Sequence, residues 1–171
     1  MNLRPLVAPV ICGVIIFTAI SCNNVNQKPS GPVVVSLNAP ADIYKTLIDS
    51  ATRARNKAYA PYSKFLVGSA VLAESGVIYT GCNVENASYG LTNCAERTAI
   101  FKAVSAGEKR IKAVAVVTDV PEFSAPCGAC RQVIYEFGTD VDVVMANLSG
   151  KYKVEKISSL LPHAFGPENL K

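Results

Sequence analysis

From Leu6 to Ile20 the chain is almost wholly apolar, and from residue 40 onward apolar positions recur at the spacings of helices and strands. Ile43, Leu47, Ala51, Ala54 and Ala58 return every three or four residues, which predicts a helix with Asp42 near its start. Two strand-like runs follow, Leu66 to Ala73 and Val77 to Val84. The spacer Glu74-Ser75-Gly76 is short enough for a hairpin. Cys94 to Ala106 reads as a helix stopped by Gly107, and Ile111 to Thr118 as a buried strand. Gly128 to Phe137 is a further helix, Val141 to Ala146 a buried strand, and Tyr152 to Ile157 a last one. The order helix–strand–strand–helix–strand–helix–strand–strand predicts an α/β fold, a mixed sheet with helices on its faces.

The first 22 residues follow another pattern. The amino terminus and Arg4 supply positive charge, an almost wholly apolar run of 15 residues from Leu6 to Ile20 follows, and Ala19-Ile20-Ser21-Cys22 closes the segment. The run is short of the roughly 20 residues that span a bilayer and reads instead as a secretory signal. A small residue before cysteine resembles a bacterial lipobox, in which the cysteine is lipidated and becomes the new N-terminus. Ala19 stands where leucine is commonest in that pattern. Residues 23–39 are polar, contain Pro and Gly, and read as a linker, with Val33-Val34-Val35 as a short strand or merely extended chain. The expected organisation is a signal over residues 1–22, a linker over 23–39 and a folded domain over 40–171. The expected location is the bacterial cell envelope, with lipid attachment through Cys22. The alternatives are an uncleaved anchor and a cytoplasmic chain.

At 171 residues, half of them hydrophobic and 18% charged, the composition is globular and allows a core that needs no disulfides. The net charge of +4 is mild, no basic run appears and Trp is absent, so nucleic-acid binding gains no support. Of the 6 cysteines, Cys12 and Cys22 belong to the N-terminal segment and Cys82 sits in a strand as a small hydrophobe.

The other three carry the chemistry. Cys94-Ala95-Glu96 and Pro126-Cys127-Gly128-Ala129-Cys130 supply three thiolates and one carboxylate. Three protein ligands leave tetrahedral zinc an open fourth position, which suits catalysis rather than a structural role. Glu96, two residues beyond the first ligand, is placed to move protons. Both motifs stand where a loop enters a helix, and backbone N–H groups there favour thiolates. Three thiolates overcompensate Zn²⁺, so Arg97 and Arg131 are expected to hydrogen-bond the sulfurs.

Cys94-Ala95-Glu96-Arg97-Thr98-Ala99 together with Pro126-Cys127-Gly128-Ala129-Cys130-Arg131-Gln132 resembles the three-cysteine, homotetrameric class of cytidine deaminases. The resemblance runs from about Asp42 to about Leu170 and includes Tyr59-Ala60-Pro61-Tyr62-Ser63-Lys64-Phe65 and Gly81-Cys82-Asn83-Val84-Glu85-Asn86-Ala87. It implies a three-layer α/β/α sandwich with a mixed five-stranded sheet and one zinc per subunit on Cys94, Cys127 and Cys130. Glu96 would be the proton carrier. Asn83 and Glu85 would bind the ribose hydroxyls, Phe65 would pack on the pyrimidine, and the backbone around Ala95 would read the cytosine edge. Tyr89 and Phe165 would reach a neighbouring subunit's site in a homotetramer. The implied reaction is hydrolytic deamination of cytidine and deoxycytidine, a step of pyrimidine salvage. A related deaminase of a cytosine nucleoside antibiotic is the alternative. Read without the resemblance, Phe65 and Phe165 are core aromatics. Ala125 stands where the family often has serine, and His163, the only histidine, where glycine is common.

Overall fold

The computed structural model describes residues 33–34 and 40–170. The signal, Cys22 and most of the linker lie outside the described residues. In chain order the elements are β1 (Val33–Val34), α1 (Pro40–Arg55), β2 (Gly68–Ala73), β3 (Val77–Cys82), α2 (Ala95–Ser105), β4 (Ile111–Thr118), α3 (Gly128–Glu136), β5 (Asp142–Asn147), β6 (Tyr152–Lys156) and α4 (Ile157–Leu160). Short 3₁₀ turns at Tyr89–Leu91 and Pro167–Leu170 complete the set.

The strands form one sheet in the order β1-β3-β2-β4-β5-β6. Only β4 and β5 run parallel, because the α3 crossover returns the chain to the same end of the sheet. The five strands expected of the domain are all present. A sixth, β1, comes from the segment read as linker and pairs antiparallel with Val77 and Ile78 on the outer edge of β3.

Two apolar clusters lie on opposite faces. Leu47 and Ala51 of α1 pack on Ala70, Leu72, Ala113, Ala115, Val117, Val144 and Ala146. On the other face, Ala99 and Ile100 of α2, Ile134 of α3 and Ile157 of α4 pack on Val71, Val114, Val116, Val143 and Met145. Alternation along β4 and β5 supplies both sides, as expected of strands buried on both faces. The parity breaks at one place. The register skips Lys112 between Leu72 and Ala73, and this bulge turns Ile111 to the same face as Val114.

Two glycines bring helices against the sheet. A Cβ on Gly68 would lie 2.0 Å from the Ala51 carbonyl oxygen of α1, and one on Gly81 would lie 2.4 Å from the Ala99 nitrogen of α2. The three layers therefore meet closely at the end of the sheet where both metal motifs emerge.

The strand limits differ from the sequence reading for local reasons. Leu66 and Val67 stay outside β2: the Leu66 carbonyl accepts from Arg55 Nε, and the Val67 N–H donates to Asn83 Oδ1. Val84 leaves β3 to bridge Tyr59 and Asn93.

A three-cysteine metal centre and the residues around it

Cys94 is the N-cap of α2 and Cys127 the N-cap of α3, while Cys130 lies in the first turn of α3. Neither cap side chain bonds its helix, so both thiols are free to face each other. The three sulfurs lie within 4.8 Å of one another, and Cys94 Sγ stands 4.0 Å from Cys127 Sγ. Tetrahedral zinc with bonds of about 2.3 Å requires sulfurs about 3.8 Å apart. The donor set therefore fits zinc, and among the described residues no fourth Cys, His, Asp or Glu joins the group.

The thiols perturb one another strongly. Hydrogen bonding from Cys130 is the largest influence on Cys94, and with help from the Arg97 guanidinium it outweighs burial and holds that thiol down at about 5. Cys130 moves the other way, pushed up by its bond to Cys94 and then by burial. Cys94 is thus the readier thiolate of the pair, and metal binding must displace the protons that remain.

Glu96, 4% exposed, sits in the first turn of α2 with its carboxyl pKa raised, chiefly by burial and further by the neighbouring Cys94 charge. Its own backbone N–H and Cys130 act in the opposite direction. Ala95 is fully buried at the first position of the same helix, where a backbone N–H has no intrahelical partner.

Arg97 meets its expectation in part: one Nη2 donates to the Thr92 carbonyl at 3.1 Å and to Cys94 Sγ at 3.7 Å, while its buried Nε has no partner. Arg131 does not meet it. Its Nε donates to the Pro126 carbonyl and its Nη1 to the Leu160 carbonyl, both at 2.8 Å, so it fastens the end of α4 to the loop before Cys127 rather than a sulfur.

Asn83 and Glu85 hold the segment that presents Phe65. Asn83 accepts from the Val67 N–H at 2.8 Å and donates to the Phe65 carbonyl at 2.9 Å, leaving each end of its amide a further bonding position. The Glu85 carboxylate accepts from the N–H groups of Tyr62 and Ser63 and from the Ser63 hydroxyl, and this last bond is the main cause of its lowered pKa. Glu85, Tyr62, Ser63, Tyr89 and Thr92 line a cleft of about 390 Å³. Phe65 and Phe165 are exposed by 38% and 61% and Tyr89 by 75%, so the two phenylalanines are not core aromatics in a single chain. Ser63, which links Glu85 to the Phe65 N–H, appears in the sequence reading only within the stretch Tyr59 to Phe65 and is given no role there.

Residues 42–147 match the model of the cytidine and deoxycytidylate deaminase zinc-binding region. The chain belongs to the cytidine deaminase family. It is 54% identical over 125 residues to a cytidine deaminase of Sporosarcina psychrophila, covering 72% of this chain and 92% of that one. Against a cytidine deaminase of Halalkalibacterium halodurans the identity is 51%, with 72% and 95% covered. The crystal structure of a cytidine deaminase from Burkholderia pseudomallei superposes with a TM-score of 0.69 at 52% identity, covering 71% of this chain and 98% of that one. As a cytidine deaminase the chain is an enzyme, its reaction is cytidine deamination, and zinc is held by the three-cysteine group.

Proposed function

We propose that this cytidine deaminase acts on free cytidine and deoxycytidine, with Glu96 as its proton carrier and with each pocket completed by neighbouring copies of the chain. The observation that carries the reading is the Glu96 carboxyl, buried beside the three thiols with its pKa raised. A carboxyl shifted toward neutrality can both take and return a proton at physiological pH.

Zinc, when bound, supplies Lewis-acid activation of a water. Glu96 accepts a proton from the attacking water and delivers it to N3 of the cytosine ring as the water oxygen bonds to C4. It then passes the second proton to the exocyclic amine, which leaves as ammonia, and the oxygen remains on C4 as the carbonyl of the uracil ring. The N–H groups at the start of α2, around Ala95, orient the base edge. Phe65 packs on the pyrimidine, and Asn83 and Glu85 take the ribose hydroxyls while holding the Phe65 segment in place.

Tyr89 and Phe165 are large aromatics left in solvent by a single chain, which supports their placement in the sites of partner copies of a homotetramer. The mature chain is further proposed to begin at a lipidated Cys22 and to sit in the bacterial envelope. Support for this is the short apolar run ending in Ser21-Cys22, followed by a polar linker. Mass spectrometry of the N-terminus after cell fractionation tests it, and an unmodified chain in the cytosol would refute it.

The test of the central reading is Glu96→Ala. The variant should keep its zinc while kcat falls by roughly 10²–10⁴-fold, assayed by ammonia release from cytidine and deoxycytidine. Near-normal turnover would overturn the role given to Glu96.

A further inference from the structure

We infer that Arg55 is a positioning residue, a single guanidinium that ties the loop delivering two zinc ligands to the segment delivering Phe65. The loop 119–126 runs from the end of β4 to Cys127. Arg55, at the last residue of α1, is 8% exposed and sends its two donors to different places. Nη2 donates to Asp119 Oδ2 at 2.6 Å, where the metal loop begins. Nε donates to the Leu66 carbonyl at 2.9 Å, one residue beyond Phe65.

The root of the side chain is itself fixed. Gly68 lets β2 approach so closely that a Cβ there would stand 2.6 Å from the Arg55 nitrogen and 2.8 Å from its Cβ. A planar guanidinium with donors at fixed angles can serve both acceptors at once, which a lysine ammonium on a flexible stem cannot do with the same geometry. Farther along, the same loop is held from elsewhere. Asn147, 3% exposed, donates to the Pro121 carbonyl at 2.7 Å, and Arg131 holds the Pro126 carbonyl. Arg55 alone among these also grips the Phe65 segment, so it couples the metal side of the pocket to the base side.

Groups that orient metal ligands from outside typically alter metal affinity by about 10–100-fold when removed. Asp119 is half exposed, and an asparagine there keeps an amide oxygen that can accept from the guanidinium, so Asp119→Asn weakens the tie to the metal loop by removing its charge without leaving the buried Arg55 unpaired. It leaves the Leu66 bond intact.

The experiment measures zinc affinity of the full chain by competition with a chromophoric chelator, and KM for cytidine with zinc saturating. Asp119→Asn should weaken zinc binding roughly tenfold and leave KM unchanged. Arg55→Met should weaken zinc binding by at least as much and raise KM several-fold, and Arg55→Lys should not restore either. Zinc affinities within about twofold of the parent in both variants, with circular dichroism and Tm showing them folded, would overturn the inference. Should Arg55→Met fail to fold, Asp119→Asn decides by the same criterion. The KM arm rests on the proposed place of Phe65 at the pyrimidine, whereas the zinc arm does not. Loss of zinc affinity with an unmoved KM in Arg55→Met would therefore overturn the coupling and leave the hold on the metal loop standing.

Discussion

Gly81→Ala puts the closeness of α2 to the sheet to a direct test. A methyl group at Gly81 would lie 2.4 Å from the Ala99 nitrogen, 2.7 Å from the Ala95 carbonyl oxygen and 2.9 Å from the Thr98 carbonyl carbon. All three are backbone atoms of the first turns of α2, so no side chain can swing aside. Ordinary contact begins at 3.4 Å, and α2 must therefore retreat from β3 by about 1 Å, a displacement that can cost about 100-fold when it misplaces reacting groups. The start of α2 carries Cys94 and Glu96, while Cys127 and Cys130 ride on α3, so the retreat opens the ligand set across two elements. Overpacking of this kind costs about 1–3 kcal/mol of stability. The functional loss should be larger relative to its cause: kcat/KM should fall about 100-fold, equivalent to about 2.7 kcal/mol. Zinc per chain, zinc affinity and kcat/KM would be measured well below the Tm of the variant, with circular dichroism to confirm folding. A folded Gly81→Ala enzyme with activity and zinc affinity close to the parent would refute the argument that backbone contact at Gly81 sets the position of the ligands.

Other outcomes follow from single observations. His163 has φ 54°, a left-handed conformation that costs about 1–2 kcal/mol for a side-chain-bearing residue. Allowing for the extra freedom of glycine in the unfolded chain, His163→Gly should gain about 0.5–1 kcal/mol, read as a higher Tm. Burial raises the Glu96 pKa, so folding favours its neutral form: that stabilisation is present below the unfolded pKa and lost as pH rises through the folded one. Glu96→Gln should accordingly raise the Tm of the metal-free chain at pH 7 and leave it almost unchanged near pH 4, and equal Tm values at both would contradict the burial effect. The Arg97 charge is among the influences that lower the Glu96 pKa. Arg97→Gln should move the acid limb of the kcat/KM profile to higher pH, and an unmoved limb would leave Arg97 without an electrostatic part in catalysis.

The metal set was legible because its three members come from two local motifs, each placed by the helix it caps. The strands were legible within one or two residues because apolar residues dominate β2, β4 and β5. What escaped was set by side chains meeting across long separations. Arg131 follows Cys130 directly, yet its guanidinium is taken by the Leu160 carbonyl, 29 residues away. Arg55 finds Asp119 at a separation of 64 residues, and nothing near either residue marks the pair. Asn147 falls one residue past the strand read over Val141 to Ala146, yet it ends β5 and its amide is a hub for Pro121, Ser149 and Lys151. Phe65 and Phe165 read as core because large aromatics usually are, and in a single chain they lie in solvent. The strand β1 was one of two open readings, because three valines in a largely polar stretch do not reveal whether a sheet edge awaits them.

The placement of the ligands also bears on how so much negative charge is tolerated in one pocket. Three thiolates around Zn²⁺ leave one net negative charge, and the Glu96 carboxylate would add another. With Arg131 committed to carbonyl oxygens, Arg97 is the arginine that hydrogen-bonds a ligand sulfur, donating to Cys94 Sγ. The remaining compensation comes from the backbone. Cys94 and Cys127 are themselves N-caps, and Cys130 lies one turn into α3, so two helix N-termini, each worth about half a positive charge, converge on the sulfurs. Gly81 and the α2–α3 packing bring those termini together, which gives the close approach of helix to sheet an electrostatic purpose as well as a steric one. A carboxyl placed two residues after the first ligand then lies in the first turn of α2, where the same dipole opposes the burial and thiolate charge that raise its pKa. On the proposed role of Glu96 as proton carrier, this balance of opposing influences is what would let it exchange protons, and it depends on both ligand motifs starting helices.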